Sequence, residues 1–253
     1  MFNDKLIELP DYGRLIVVSD IHGNLEDYNR YVNLWDENDS DFHIVFLGDL
    51  IHAVGDDDKS IEILDDAIEK SECPNFHTLL GNHEWAHIVN SEIYKNGEDL
   101  IRKFENLVSY RKGFIEPSLT NYIKFFKTMP YFVKTANGLF LSHSGPSFKV
   151  KSIEAFNKIF ESDYSGPILY DFLWNRYNNF THYTKSDVDN FLEVIDAKYM
   201  VIGHNVVESY KLYGNQMILA SSFYTKVKTY LDIDLSKELN SMKDLQKQLK
   251  FLI

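Results

Sequence analysis

Through the first third of the chain, short apolar runs alternate with stretches whose apolar residues recur at helical spacing. Leu15 to Ser19 is an apolar, β-branched run and predicts a buried strand. Leu25, Tyr28, Tyr31, Val32 and Trp35 then share one helical face. Phe42 to Leu47 predicts a second strand, Ile61 to Lys70 a helix, and Phe76 to Leu80 a third strand. This order implies right-handed crossovers and a partly parallel sheet with helices outside.

The strand rhythm stops from Glu84 to about Met129, a stretch that reads as a mostly helical cap or side layer ending at Met129-Pro130. Tyr131 to Thr135 and Leu139 to Ser142 predict a hairpin about Ala136-Asn137-Gly138, because Asn-Gly supplies positive φ. A second helical or irregular block covers Ile153 to Asp196. Tyr199 to Ile202 reads as a strand, and Ser209 to Tyr213 and Gln216 to Ala220 as a hairpin about Gly214-Asn215. Lys226 to Leu235 alternates as a further strand, and a C-terminal helix is expected from Lys237. No repeat or Gly/Ser/Pro-rich linker divides the chain. The expectation is one α/β (α+β) domain over residues 1–253, with helices outside two sheets and cap-like segments at about 84–130 and 150–196.

Composition narrows the function classes. Asp and Glu outnumber Lys and Arg by 38 to 26, a net charge of −12, which argues against coating nucleic acid or anchoring on an anionic membrane. Cys73 is the only cysteine, so no intrachain disulfide forms. Met1-Phe2-Asn3-Asp4-Lys5 lacks the order of a signal peptide, and no apolar run approaches the ~20 residues of a membrane span. A cytoplasmic location is expected.

The candidate chemistry lies just after the predicted strands. Asp20-Ile21-His22-Gly23-Asn24 follows the first, Gly48-Asp49 the second and Gly81-Asn82-His83-Glu84 the third. Ser142-His143-Ser144-Gly145 and Gly203-His204-Asn205 follow two later ones. Open α/β sheets bind ligands at these carboxyl ends. Two Asp, three His and one Asn make a mixed oxygen and nitrogen set suited to Mn²⁺, Fe, Zn²⁺ or Ni²⁺. Six ligands exceed the needs of one tetrahedral ion but suit two ions sharing a bridge. Two ions about 3.5–4 Å apart can orient a phosphoryl group and generate a nucleophile at neutral pH.

These five ordered blocks resemble the calcineurin-like metallophosphoesterases, with the likeness running from Asp20 to His204. The resemblance implies a four-layer α/β/β/α sandwich and two divalent metal ions, manganese first. Asp20 and His22 would hold one ion, Asp49 would bridge, and Asn82, His143 and His204 would hold the other. His83 would protonate the leaving-group oxygen as general acid. Asn205-Val206 after His204 lacks the second histidine of the phosphodiesterase members. The chain is in this respect similar to the serine/threonine protein phosphatases and their bacterial, phage and diadenosine tetraphosphatase relatives. Leu173-Trp174-Asn175-Arg176 resembles that branch's L-W-x-R segment, making Arg176 the expected phosphate-binding residue, with a surface ion pair as its alternative.

Two departures stand out. The branch reads G-D-x-x-D-R-G, whereas here His52 takes the place of the aspartate and Ala53 that of the arginine. Without its carboxylate partner, His83 should lose its proton more readily. Without the arginine, a charge-assisted phosphate contact is missing. Altered substrate choice or slower turnover is therefore expected. His52 either lines the pocket or is an inert loop residue. His43, His77, His87 and His182 fit no ligand spacing, and Glu84 either supports the ligand residues from behind or opens the next helix, the second reading being preferred. Asp56-Asp57-Asp58 reads as a solvated loop, and the basic residues from Arg102 to Lys127 as a solvated helical face.

The expected activity is hydrolysis of phosphate esters, with phosphorylated Ser or Thr of proteins as the first substrate. A diadenosine tetraphosphate or another nucleotide is the alternative, and a metal-binding scaffold with little catalysis is the reading from another class.

Overall fold

The computed structural model describes residues 4–55, 57–113, 116–177 and 182–252. The first part of the chain forms β1 (Leu6–Leu9), β2 (Arg14–Val18), α1 (Leu25–Val32), β3 (Phe42–Phe46), α2 (Ser60–Lys70) and β4 (Phe76–Thr78). A side layer follows, made of α3 (Asn82–Val89), β5 (Tyr94–Lys95), β6 (Glu98–Asp99), α4 (Leu100–Lys112) and α5 (Ser118–Thr128). Next come β7 (Phe132–Thr135), β8 (Leu139–Ser142), α6 (Ile153–Asn157), α7 (Pro167–Trp174) and α8 (Lys185–Val194). The last elements are β9 (Tyr199–Ile202), β10 (Tyr210–Tyr213), β11 (Gln216–Leu219), β12 (Thr229–Asp234), α9 (Met242–Lys247) and β13 (Leu249–Phe251).

Two mixed sheets result, in the orders β13-β12-β2-β3-β4 and β1-β7-β8-β9-β11-β10. Strand alternation divides their side chains between two cores. Leu15, Val17 and Val45 join Val133, Leu139, Leu141, Val201 and Leu219 in an apolar layer between the sheets. The alternate residues Ile16, Val18, Ile44 and Phe46 belong instead with Tyr28, Tyr31, Leu64 and Ala67 of α1 and α2. Phe140, Met200 and Ile202 likewise cluster with Phe172 and Phe191 of α7 and α8. Strands buried on both faces read as unbroken apolar runs, which is why these segments lack polar alternation. The arrangement is the expected four-layer sandwich.

Both hairpins form as expected, β7 with β8 and β10 with β11. The C-terminus departs from expectation. Only Met242–Lys247 is helical, capped by Ser241, and it buries a single leucine, Leu245. The chain then adds β13 antiparallel to β12, pairing Leu249 with Leu231 and Phe251 with Thr229. Satisfying the open edge of β12 outweighs continuing a helix with so little apolar face. Leu252 packs against the core, Phe251 is exposed, and Ile253 lies outside the described residues. β1 had no distinguishing pattern in the sequence; it is a short, half-exposed strand that pairs parallel with β7. Among the described residues no helix is long and apolar enough to cross a membrane.

The basic face of α4 is exposed at Arg102, Arg111 and Lys112, as expected, and carries surface ion pairs. Lys103 reaches Glu98 and the Gly55 carbonyl, Arg111 pairs with Glu62, and Lys112 with Asp65. Truncating the layer between the sheets is the clearest test of the packing. Leu141→Ala is expected to lower unfolding free energy by about 2–5 kcal/mol in urea titration. Tyr110→Ala, at a side chain 85% exposed, is expected to stay within about 0.5 kcal/mol of wild type.

Candidate metal centre

Parallel pairing sets the strand ends that matter on common edges. β2, β3 and β4 run parallel side by side, as do β8 and β9 in the other sheet. Asp20 and His22, Asp49, and Asn82 and His83 leave the carboxyl ends of the first three; His143 and His204 leave those of the other two. All seven side chains are buried. His22, Asp49, His52 and His204 adopt positive φ, at 48°, 53°, 69° and 60°. Left-handed backbone costs a non-glycine residue about 1–3 kcal/mol, so strain is concentrated in the loops that present these groups.

Asp49 Oδ2 is the hub. His22 Nε2 lies 3.6 Å from it, His143 Nε2 3.5 Å and His83 Nε2 3.8 Å. Asp20 Oδ2 stands 3.8 Å from His22 Nε2, while both Asp20 oxygens accept from the His204 backbone N–H. Asn82 Oδ1 and His204 Nδ1 approach His143 Nε2 at 2.9 and 3.2 Å. Two groups of potential ligands thus share Asp49: His22 with His83, and His143 with His204.

The tautomers favour a cation here. His22 Nδ1 donates to the Ile51 carbonyl at 3.1 Å and His143 Nδ1 to the Leu47 carbonyl at 2.9 Å. Burial lowers the pKa of both, His22 to about 4. In the neutral rings the Nε2 lone pairs therefore face a carboxylate oxygen, and His143 also faces an amide oxygen. Acceptors so arranged have no proton to share, but they match what a divalent ion binds. Without such an ion, burial and then neighbouring Asp20 push the Asp49 carboxyl well above the usual range.

Close approach explains two glycines. A Cβ on Gly81 would stand 2.3 Å from the Asp49 backbone nitrogen, and one on Gly203 would stand 2.1 Å from Asp20 Oδ1. Arg176 is exposed above the cluster, donating from Nη1 to the His204 carbonyl at 2.8 Å. Its charge acts on Asp49, His143 and His204.

Residues 13–208 match the family described as calcineurin-like phosphoesterase. This chain is a calcineurin-like phosphoesterase. Shewanella-like protein phosphatase 1 of Plasmodium berghei (strain Anka) is 25% identical over 237 residues, covering 79% of this chain. The chain spans 63% of the length of that relative. A protein serine/threonine phosphatase from Saccharomyces cerevisiae shares the fold with a TM-score of 0.69 at 15% identity, over 98% of this chain and 82% of its own. A cold-active protein-tyrosine phosphatase of a psychrophilic Shewanella species does so at 0.65 and 14%, over 93% and 80%.

The phosphoesterase carries a row of three imidazoles where the resemblance implies a histidine–aspartate pair. His83 Nδ1 lies 2.8 Å from His52 Nδ1, and His52 Nε2 lies 2.9 Å from His87 Nε2. His52 is thus buried between His83 and His87, which is joined to the cluster through it. Burial, then the neighbouring histidines, holds His83 and His52 well below the ordinary imidazole range. His182 accepts from the Arg176 backbone N–H, and His43 pairs with His77 away from the site.

Glu84 is more than the opening of a helix. Its carboxylate is fully buried and accepts from the backbone N–H groups of Asp49, Leu50 and Ile51 at 3.0, 2.8 and 3.3 Å. Burial, with Asp49 adding to it, lifts Glu84 to about 7. Asp58 is also buried, not solvated: it accepts from Ala53 and Ser60, and Ser60 Oγ accepts from the His52 N–H. Asp57 is exposed as expected, and Asp56 lies outside the described residues.

Glu84→Gln would turn a donor toward one of those three N–H groups. It is expected to cost about 1–3 kcal/mol in urea titration and to weaken Mn²⁺ binding by calorimetry. A second expectation follows from His87, which burial depresses to about 4. As pH falls the unfolded chain takes up this proton first. The stability from keeping His87 neutral is therefore complete above about pH 6.5 and lost as pH falls toward the folded-state value. Metal-free protein should lose about 1–2 kcal/mol through this residue between pH 7 and 5, and urea titrations should show a smaller loss in His87→Gln.

Proposed function

We propose that this phosphoesterase hydrolyses phosphate monoesters, first among them phosphorylated side chains of proteins. Asp20, His22, Asp49, Asn82, His143 and His204 would hold two divalent metal ions. The observation that carries the reading is the convergence of lone-pair donors on Asp49 Oδ2, with His83 Nε2 turned to the same atom. Two such ions supply a water that ionises near neutral pH and positive charge against the phosphoryl oxygens.

The remaining work falls to the chain itself. Arg176, anchored through His204, offers a guanidinium fork to phosphate oxygens at the rim. His83 is the proton donor to the departing oxygen. One proton lies between His83 Nδ1 and His52 Nδ1; when His52 donates it, His83 carries its own proton on Nε2, facing the site. A neutral His83 can then act as the acid, whereas an aspartate partner would accept from Nδ1 and favour imidazolium. The protein phosphatase names of the similar proteins support a phosphoprotein as substrate.

The test is Mn²⁺-dependent hydrolysis of p-nitrophenyl phosphate. Asp49→Asn is expected to abolish it, and His83→Ala to slow it about 10²–10⁴-fold on a substrate with a poor leaving group. His52→Asp should move the alkaline limb of the pH–rate profile upward, because a carboxylate raises the His83 pKa. Phosphate release from phosphoserine, phosphothreonine or phosphotyrosine peptides supports the substrate class. Cleavage of diadenosine tetraphosphate alone would replace it with a nucleotide hydrolase. Bound metal with no hydrolysis of any of these would leave a scaffold.

A further inference from the structure

The phosphate site proposed above lacks one cation. Ala53 stands where the resemblance implies an arginine, and it lines a cavity of about 690 Å³ together with His22, Gly23, Phe223 and Tyr224. The side layer brings another cation to this place. β5 and β6 form a tight hairpin, turned at Asn96 and Gly97 with φ of 52° and 82°, that projects Lys95 over the cavity's aromatic wall. Lys95 Nζ lies 3.7 Å from the centroid of the Phe223 ring and 5.1 Å from that of Tyr224. Phe223 in turn packs on His22, ring centroids 4.0 Å apart. The ammonium thus reaches the candidate metal centre through one intervening ring.

Its surroundings suit an anion. Lys95 is half-buried, and among the described residues it makes no ion pair within 4.0 Å. The other side-layer lysines differ, since Lys103 and Lys112 are each held by a carboxylate. Burial lowers the Lys95 pKa, while Asp49 and Asp20 favour its charge and Arg176 opposes it. A face-on ring retains an ammonium without neutralising it. We propose that Lys95 is a phosphate-binding residue, whose ammonium contacts a non-bridging oxygen opposite Arg176 and supplies the charge that Ala53 does not. The chemistry it recognises is a phosphoryl dianion, reached by a point charge on a flexible stem rather than a planar fork. The inference rests on the phosphoesterase reading of the site.

Calorimetric titration of the Mn²⁺-loaded protein with inorganic phosphate tests it, with metal content measured in each variant. Lys95→Gln is expected to weaken phosphate about tenfold or more while metal content stays at the wild-type level. Lys95→Arg should remain within about threefold. Ala53→Arg, added to Lys95→Gln, should recover affinity by returning a cation to the cavity, without restoring the contact with Phe223. A purely structural lysine gives another pattern, in which Lys95→Gln lowers the melting temperature and leaves phosphate affinity unchanged; that result overturns the proposal. Wild type that hydrolyses p-nitrophenyl phosphate, with Lys95→Gln binding phosphate equally well, overturns the lysine alone. Wild type that neither binds phosphate nor hydrolyses the ester overturns the reading of the whole site.

Discussion

A buried carboxylate facing other acceptors is the constraint around which this molecule is organised. Asp49 sits at the floor of the cluster, with the Nε2 lone pairs of His22 and His143 turned toward its Oδ2. Such a group is costly to bury, so its neighbours must fix its position by other means. Glu84 does so from behind by gathering three backbone N–H groups of the Asp49 loop. The His83 backbone N–H adds a bond to Asp49 Oδ1. The first turn of α3 therefore presents Asn82 and His83 to the cluster and clamps the Asp49 loop with the same few residues.

The two sheets meet in this cluster as well as in the apolar layer below it. His143 leaves β8 of one sheet and donates to the Leu47 carbonyl beyond β3 of the other. Asp20, beyond β2, accepts from His204, beyond β9. These polar ties cross the seam where the sandwich opens, so the candidate ligand residues themselves tie the two sheets together at that end. Positive φ at His22, Asp49 and His204 is the local cost of bringing the loops so close.

Much of this was legible because strands buried on both faces leave unmistakable apolar runs, and because ligand loops at strand ends are short. The blocks from Asp20 to His204 come together in space as their order along the chain implied. The chain end was misread because Leu245 alone could not show whether a helix or a returning strand would follow. His87 and Lys95 were not legible at all. Each joins the site through a neighbour distant in sequence, His52 for one and Phe223 for the other, and neither contact has a spacing that a single sequence displays. Glu84 had a signal in its position after Asn82-His83, but a carboxylate at the third position of a helix also serves the helix itself.

The seam ties have a consequence for synthesis. The candidate ligands of one sheet are complete at Asn82, whereas His204 emerges 204 − 82 = 122 residues later. At ribosomal rates of about 5–20 residues per second, that is an interval of ~6–24 s. Throughout it, Asp20, His22, Asp49 and Asn82 exist without the partners that complete the cluster. The strand that covers the open side of β2 is β12, which is made later still. A nascent chain thus holds a half-built acidic and imidazole cleft before it holds a closed sandwich, and the complete cluster becomes a property of the finished fold rather than a guide to its early steps.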